Sequence, residues 1–216
     1  MTERFMLTSL DGLELEAALD SPAAPEGAVV LCHPHPRMGG TMNAPLLVAL
    51  VDHLVVRKWA LLRFNFRGIG DSAGETGMGL DEVNDARAAV AEMTRRYDLP
   101  VAVGGWSFGG AVAIRTAASE PDLAACAAIA PSVTEKPGVS AGLPAPGELE
   151  LRCPVLIVCG ANDDQVSPED VRSWADGAGA NYVEMPGANH FFWAKYDDLA
   201  RTVSDFLAEA IARADP

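Results

Sequence analysis

The chain has 216 residues, a length that suits one domain. Its composition, 49% hydrophobic and 21% charged, is that of a globular protein and excludes a disordered or fibrous one. The formal net charge of −14 repels phosphate backbones and anionic membranes, so neither a nucleic acid nor a membrane is expected as a partner. The first ten residues lack an apolar segment of signal-peptide length, and no stretch reaches the ~20 apolar residues that cross a bilayer. We therefore expect a cytoplasmic protein with a single domain over residues 1–216.

The four cysteines are Cys32, Cys126, Cys153 and Cys159. None forms a CxxC pair, and each lies in or beside an apolar run that is typical of a strand. This pattern predicts buried free thiols, which agrees with a reducing compartment. A cysteine nucleophile, the alternative, would need a sharp glycine-flanked turn, and none of the four has one.

Short apolar runs alternate with longer helical patterns along the chain, which is typical of a parallel sheet covered by helices on both faces. An antiparallel hairpin is predicted over residues 4–8 and 13–19, around the turn at Asp11-Gly12. Further strands are predicted, in chain order, at 28–32, 60–65, 101–104, 123–130, 154–159 and 181–185. Helices are predicted at 43–57, after a cap at Asp81, at 108–119, around 170–174, and at the end of the chain with Leu199, Val203, Phe206, Leu207 and Ala210 on one face.

The segment 131–152 is rich in proline and glycine. It is too short and too broken to form a lid domain of several helices. A surface loop is the simpler interpretation, and a functional flap is the alternative. The sequence shows no internal repeat and no second domain.

Residues 101–110 read VAVGGWSFGG and contain the pattern G-x-S-x-G, with Ser107 at its centre. A predicted buried strand precedes the pattern and an alanine-rich helix follows it, so Ser107 is expected on a tight, strained turn. A Cβ at Gly105 or Gly109 would clash with neighbouring backbone. The turn presents the hydroxyl above the sheet, and the helix start offers its positive end to developing negative charge. Ser107 is therefore the candidate nucleophile.

A serine needs a neighbouring base to act as a nucleophile, and the chain has four histidines. His53 falls inside a predicted helix, whereas His33 and His35 precede the serine, directly after the first core strand. His190 follows the last predicted strand, in the loop GANH, at the same edge of the sheet as Ser107. Elimination therefore predicts His190 as the base.

The orienting carboxylate is expected between these two residues in the sequence, at the end of another strand. The segment CGANDDQV offers Asp163 and Asp164. Asp163 lies three residues after Gly160 and three before Val166, which fits a G-x-x-D-x-x-V turn. We predict that Asp163 fixes the imidazole tautomer and stabilises the imidazolium. Asp164 is the alternative, and otherwise a solvated loop acid.

A tetrahedral intermediate needs two main-chain donors, and one is expected to be the N–H of Phe108, the residue after the nucleophile. The second is expected in the loop 32–40, which follows the first core strand. Pro34 and Pro36 have no N–H. His35 lies between them and is therefore predicted to donate through its main chain.

The pair His33 and His35 also fits the spacing of a metal site. Such a site would need a third and a fourth ligand, and the sequence has no cysteine pair or other histidine cluster. We expect no metal and no cofactor, and we predict that the two side chains pin the loop or line a pocket entrance. A metal-dependent hydrolase would lose activity in chelator, and no such loss is expected here.

Five segments, CHPHPRMGGTMN, RFNFRGIGDSAG, GWSFGG, CGANDDQV and GANHFF, together resemble the compact bacterial α/β-hydrolases related to the dienelactone-hydrolase group. The match covers nearly the whole chain in order. The resemblance implies an α/β-hydrolase fold, with an eight-stranded, mostly parallel sheet, helices on both faces and little or no cap domain. By position it gives Ser107, Asp163 and His190 as the triad, with His35 and Phe108 around the oxyanion.

The sequence departs from the pattern of these relatives at three places. The first core loop has His33-Pro34 where many members have His-Gly, which stiffens the loop. Ser107 stands where dienelactone hydrolases proper have a cysteine, so dienelactone is not the expected substrate. Asn65 stands where related sequences often have Asp, and we expect this to concern a structural hydrogen bond rather than the chemistry.

These residues together predict a serine hydrolase that cleaves small or medium acyl esters through an acyl-enzyme intermediate. Apolar pocket walls are expected from Met38, Trp106, Phe108, Phe191 and Phe192, although each aromatic side chain also suits core packing. Without a large cap, a long lipid chain is not the expected acyl group. The expected partner is the small-molecule acyl substrate, and the expected assembly is a monomer or a homodimer.

Other functions stay open at this point. A thioesterase or a peptidase would use the same triad on a different leaving group, and the motifs do not separate these reactions. A non-catalytic binding protein on the same scaffold is disfavoured, because all three triad members are present and lapsed enzymes usually lose at least one.

Overall fold

The computed structural model describes residues 2–214. The strands in this range are β1 (Thr2–Thr8), β2 (Glu14–Asp20), β3 (Gly27–Cys32), β4 (Trp59–Phe64), β5 (Val101–Trp106), β6 (Ala125–Ile129), β7 (Val155–Gly160) and β8 (Asn181–Met185). They form one eight-stranded sheet in the order β1-β2-β4-β3-β5-β6-β7-β8. The pairs β1–β2 and β2–β4 are antiparallel, and all pairs from β4 to β8 are parallel.

Helices cover the sheet. They are α1 (Pro45–Val55), α2 (Glu82–Arg96), α3 (Phe108–Ser119), α4 (Pro168–Ala178) and α5 (Tyr196–Ala214). α1 packs against α5, and α2 packs against α3. The predicted fold, a mostly parallel eight-stranded sheet with helices and no large cap, is confirmed. Within residues 2–214, no helix combines the length and the apolar character that spanning a bilayer requires.

The central strands explain where the site must lie. Every residue of β3 to β7 is buried, as expected of parallel strands that are covered on both faces. The interior of the sheet therefore offers no room for a binding site. The loops that leave the carboxyl ends of the parallel strands meet at one edge, which is where open α/β sheets bind their ligands.

Two helices, α1 and α4, differ in their bounds from the predicted ones. α1 begins at Pro45 rather than at residue 43, because residues 41–44 form a turn in which Ala44 N–H donates to the Thr41 carbonyl at 3.0 Å. α4 is twice the predicted length. It begins after Ser167, whose hydroxyl accepts from Asp170 N–H, and ends before Gly179 in a left-handed conformation.

The prediction that Asp81 caps α2 is correct in its position, but its side chain does not form the capping hydrogen bond. Asp81 occupies the position before α2, and its backbone is helical. The buried carboxylate of Glu82 binds the preceding turn instead, accepting from the N–H groups of Gly77 at 2.6 Å and Gly79 at 2.9 Å. Glu82, the first residue of α2, thus fixes the start of the helix through these two hydrogen bonds.

The four cysteines are free thiols, as predicted. Cys32, Cys126 and Cys159 are buried, and Cys153 is partly buried. Burial raises the pKa of Cys159 to about 12. It also raises the pKa values of Cys32, Cys126 and Cys153 above the usual value of a thiol. A nucleophilic thiolate is therefore disfavoured at each position.

Candidate active site

Ser107 lies on the turn between β5 and α3, with φ 57° and ψ −114°. A non-glycine residue in this region carries a conformational cost of roughly 1–3 kcal/mol and persists only where its surroundings impose it. Here the Ser107 N–H donates to the Ile129 carbonyl at 2.8 Å, and the Ser107 carbonyl accepts from the N–H groups of Ala111 and Ser132. These bonds fix the strained backbone and place the side chain at the carboxyl edge of the sheet.

The two glycines that flank Ser107 allow a close backbone contact. A Cβ on Gly105 would collide with the carbonyl of Gly109, and a Cβ on Gly109 would collide with the carbonyls of Cys32 and His33. The start of α3 therefore lies directly against the end of β3, where the predicted oxyanion loop begins. Only glycine at both positions permits this contact.

His190 and Asp163 meet at the same edge of the sheet. Nδ1 of His190 lies 2.8 Å from Oδ2 of Asp163, and the exposed fractions of the two side chains are 7% and 0%. The other carboxylate oxygen of Asp163 accepts from the N–H groups of Gln165 and Val166, at 2.9 and 3.0 Å. Because a carboxylate only accepts, the proton of a neutral His190 ring lies on Nδ1, and Nε2 is the basic nitrogen. Asp164 is exposed, and its carboxylate accepts from the Gln165 side-chain amide at 3.2 Å.

Main-chain contacts hold the loops that carry these two side chains. Asn162 N–H donates to the Ala188 carbonyl at 2.8 Å, which ties the loop after β7 to the loop after β8. A Cβ on Gly160 would lie 2.5 Å from that same carbonyl oxygen, so glycine is needed for this approach. The indole N–H of Trp106 donates to the His190 carbonyl at 3.1 Å. The histidine is thereby joined to the residue before the serine.

Ser107 and His190 line one cavity of about 300 Å³. The His190 ring is hydrogen-bonded to Asp163 through Nδ1. Among the described residues, no hydrogen bond joins its Nε2 to Ser107 Oγ. In enzymes without substrate, such catalytic hydrogen bonds are often long or poorly aligned. The structure therefore contains a hydrogen-bonded Asp163–His190 pair and a serine that lines the same cavity as His190.

Three of the five side chains predicted as pocket walls line this cavity, namely Met38, Trp106 and Phe191. The prediction for Phe192 is wrong, because its side chain is fully buried in the core and is absent from the cavity wall. Phe108, also considered as a wall, is buried and packs against His35 and Phe66. The sequence motif did not distinguish the two consecutive phenylalanines, which point to opposite environments.

His33 is a buried structural residue at the start of the predicted oxyanion loop. Its Nε2 accepts from Phe66 N–H at 3.0 Å, and its Nδ1 donates to the Pro34 carbonyl at 2.7 Å. This arrangement requires the neutral ring. Burial lowers the pKa of His33 to about 4, which keeps the ring neutral near pH 7.

His35 joins the predicted oxyanion loop to segment 131–152. Its Nδ1 accepts from Arg37 N–H at 3.1 Å, and its Nε2 lies 2.9 Å from the Val139 carbonyl. Neither the main-chain N–H of His35 nor that of Phe108 has a hydrogen-bond acceptor among the described residues. His35 lines the cavity beside Ser107, whereas Phe108 follows Ser107 directly. Both N–H groups thus remain available to an added acceptor.

Asn65 supports the same loop from the end of β4. Its side-chain oxygen accepts from Met42 N–H at 2.8 Å, and its side-chain amide donates to Glu16 at 2.7 Å. An aspartate would lack the second bond, since it has no amide to donate to a carboxylate. The predicted structural role of Asn65 is confirmed.

Segment 131–152 contributes cavity residues that sequence reasoning did not identify. Ser132, Lys136, Val139 and Ser140 all line the cavity. Interpreting the segment as a plain surface loop therefore missed part of the site. The available signal was position, because Pro131 and Ser132 follow β6 at the same sheet edge as the serine turn.

Comparison with known proteins shows the family to which the chain belongs. A family model described as serine aminopeptidase, S33, matches residues 23–149. The chain belongs to this family of α/β-hydrolases. An uncharacterized protein of Rickettsia prowazekii (strain Madrid E) is 31% identical over 202 residues, which are 88% of this chain and 82% of that protein.

Two solved structures extend the family likeness over the whole fold. An α/β serine hydrolase without a lid from Xanthomonas campestris is 26% identical, with a TM-score of 0.83, and the match covers 100% of this chain and 95% of that one. An α/β serine hydrolase homologue from Coxiella burnetii is 28% identical, with a TM-score of 0.82 and coverage of 95% and 97%. The relation to the dienelactone-hydrolase group stays a prediction.

The buried His33 gives a prediction for stability against pH. Its folded-state pKa lies below the usual value of 6.5. As the pH falls, His33 is therefore protonated in the unfolded chain before it is protonated in the folded protein. The contribution of His33 to the free energy of unfolding is complete above about pH 6.5 and falls by about 1.4 kcal/mol per pH unit as the pH drops toward 4. Urea unfolding of wild type and His33→Asn measures it. The stability difference between them should shrink between about pH 6.5 and pH 4.5, and a difference that does not change with pH contradicts the assignment.

Proposed function

We propose that this serine hydrolase cleaves small or medium acyl esters through an acyl-enzyme intermediate, with Ser107 as nucleophile, His190 as base and Asp163 as orienting acid. The observation that supports the proposal most is the buried Asp163–His190 hydrogen bond, 2.8 Å long, beside a cavity that Ser107 also lines. A neutral imidazole with its proton fixed on Nδ1 offers Nε2 to a serine hydroxyl. This is the arrangement that activates a serine for attack.

The first half of the proposed reaction forms the acyl-enzyme. Ser107 Oγ attacks the ester carbonyl while His190 Nε2 takes the hydroxyl proton, and the carbonyl oxygen becomes an oxyanion. The free N–H groups of Phe108 and His35 are the proposed donors to this oxygen. His190 then gives the proton to the leaving alcohol as the ester C–O bond breaks.

The second half of the proposed reaction is the reverse sequence with water. His190 Nε2 takes a proton from water, the hydroxide attacks the acyl carbon, and the same two N–H groups stabilise the second oxyanion. Collapse of this intermediate breaks the bond to Ser107 Oγ, and His190 returns the proton to the serine. The products are the acid and the free enzyme.

The cavity supports a substrate of modest size. Its volume of about 300 Å³ corresponds to about ten water-sized groups. Trp106 and Met38 offer apolar contacts within it, and Phe191 lies in edge-to-face contact with Trp106, at a centroid distance of 5.8 Å. These walls suit a short acyl chain.

A thioester would fit the same machinery, and it stays an alternative. The family description names an aminopeptidase, whose substrates carry an α-ammonium group. The residues that line the cavity, all in the described range, include no carboxylate to pair with such a cation. The cavity therefore favours an ester over an N-terminal peptide.

Replacing the serine tests the nucleophile. Ser107→Ala should lower kcat for 4-nitrophenyl butyrate by about 10³-fold or more, because the remaining groups cannot form the acyl-enzyme. Steady-state kinetics with matched circular dichroism spectra measures this. Ser119→Ala, at the far end of α3, is the matched control and should keep full activity. Retention of more than a tenth of kcat in Ser107→Ala would contradict the proposed nucleophile.

The adjacent aspartates provide a paired test of the acid. Asp163→Asn should lower kcat by about 10³- to 10⁴-fold, because an amide at this place disturbs the tautomer of His190. Asp164→Asn changes the neighbouring exposed residue in the same way and should leave kcat within about twofold of wild type. If only Asp164→Asn loses activity, the acid has been assigned to the wrong residue.

The cavity volume predicts a limit on chain length. Across 4-nitrophenyl esters from acetate to dodecanoate, kcat/KM should peak at four to six carbons and fall at least tenfold by twelve, because a longer chain exceeds about ten groups. The same series as thioesters shows which leaving group is preferred. An activity that rises steadily to dodecanoate would show that the acyl chain binds elsewhere.

A further inference from the structure

One permanently charged side chain lines the cavity beside Ser107. Among the residues that line it, Lys136 carries the one permanent charge, and the other polar side chains are serines, glutamine and the two histidines. Lys136 belongs to segment 131–152, which the proposed triad does not use. The proposed hydrolysis of a simple neutral ester gives this ammonium group no role.

Lys136 also differs from the other two lysines of the chain in its pairing. Acidic residues outnumber Lys and Arg by 30 to 16, and an exposed cation therefore finds a carboxylate easily. Lys58 pairs with Glu26, and Lys195 pairs with Asp198 at 3.7 Å. Lys136 has no carboxylate within 4.0 Å among the described residues. Its Nζ donates to the Gln165 carbonyl at 2.7 Å, and an ammonium group has two further N–H donors.

The acids nearest in sequence do not neutralise this group. Glu135 is exposed and forms no ion pair with Lys136, and Asp164 is engaged by the side-chain amide of Gln165. A second cation lies nearby instead. Arg37 donates to the Gly138 carbonyl at 3.5 Å and to the Thr76 hydroxyl at 3.1 Å, and it has no carboxylate partner in the described part of the chain either.

The backbone around Lys136 fixes its place on the cavity wall. Lys136 N–H donates to the Ser140 carbonyl at 2.8 Å, and Ser140 N–H donates back at 2.9 Å, which closes a tight turn. The Val139 carbonyl within this turn binds the ring of His35. The turn is thereby tied to the predicted oxyanion loop on one side and, through Lys136 Nζ, to the turn of Asp163 on the other.

We propose that Lys136 selects esters that carry a second, ionised carboxylate, with its ammonium group as the counter-charge. The inference rests on the proposed function and narrows its substrate class to acidic half-esters and esters of acidic alcohols. The bond to Gln165 holds the exposed ammonium group at the cavity wall, and the lack of a protein carboxylate beside it among the described residues leaves its charge to the substrate. In a chain with a net charge of −14, such a local cation also offsets the repulsion that an anionic substrate meets.

Three esters that differ only at the chain end test the inference: mono-4-nitrophenyl adipate, the corresponding adipamate, and the analogue that ends in an ammonium group. A second pair, the butyrate esters of 4-hydroxybenzoate and 4-hydroxybenzamide, places the carboxylate on the leaving group. The enzymes compared are wild type, Lys136→Met, Lys136→Glu and, as matched control, Lys58→Met at the opposite edge of the sheet.

Wild type should prefer the carboxylate over the amide about fivefold in kcat/KM in at least one of the two series, the ratio expected of a single partly exposed ion pair. Lys136→Met should abolish the preference, which is measured within each variant as the ratio of kcat/KM for the carboxylate to kcat/KM for the amide. Lys136→Glu should reverse the preference, so that the ammonium ester becomes the better substrate, and Lys58→Met should retain the wild-type preference. High salt should weaken the preference of the wild type for the carboxylate.

A binding measurement keeps this inference separate from the proposed chemistry. In Ser107→Ala, calorimetry should show that the monoethyl ester of adipic acid binds more tightly than ethyl adipamate. In the double variant that also carries Lys136→Met, the two ligands should bind equally. If neutral esters are hydrolysed but neither carboxylate series is preferred, or if the preference survives in Lys136→Met, Lys136 does not select the substrate. Equal binding of carboxylate and amide to Ser107→Ala in both series, the adipate pair and the butyrate pair, would overturn the inference even if no ester were hydrolysed.

Discussion

The close contact between the end of β3 and the start of α3 sets the geometry of the site. At this contact the backbone of α3 passes so near the carbonyls of Cys32 and His33 that residue 109 must be glycine. Next to this contact Ser107 has a positive φ of 57°, and the serine turn lies beside the loop that carries His35. The strain at Ser107 is sustained because three main-chain hydrogen bonds and a buried sheet impose it.

The other parts of the site follow from the parallel sheet. The loops after β3, β5, β6, β7 and β8 all leave its carboxyl edge, so residues far apart in the sequence line one cavity. Two buried imidazoles connect loops at this edge. His33 bonds the first loop to Phe66, and His190 bonds the last loop to Asp163. Histidine serves both purposes because a neutral ring offers one donor and one acceptor at fixed directions.

The sequence was sufficient to predict the sheet and the residues around Ser107, because these depend on local patterns. Buried parallel strands produce continuous apolar runs, and a serine turn of this kind needs glycines at fixed offsets. Asp163 could be separated from Asp164 because only one spacing suits the turn. The environment of Phe192 and the role of Lys136 could not be predicted, since each depends on how distant segments pack. A proline- and glycine-rich segment has no periodicity from which to infer what its side chains contact.

Activation of Ser107 by His190 is the central proposal, and covalent labelling tests it most directly. Treating the native protein with a fluorophosphonate and mapping the adduct by peptide mass spectrometry reports which hydroxyl attacks. We expect one adduct, on the peptide that contains Ser107, absent from Ser107→Ala and formed far more slowly when His190 is replaced by alanine. No adduct on the native protein, or one that persists at the same rate in Ser107→Ala, would contradict the account.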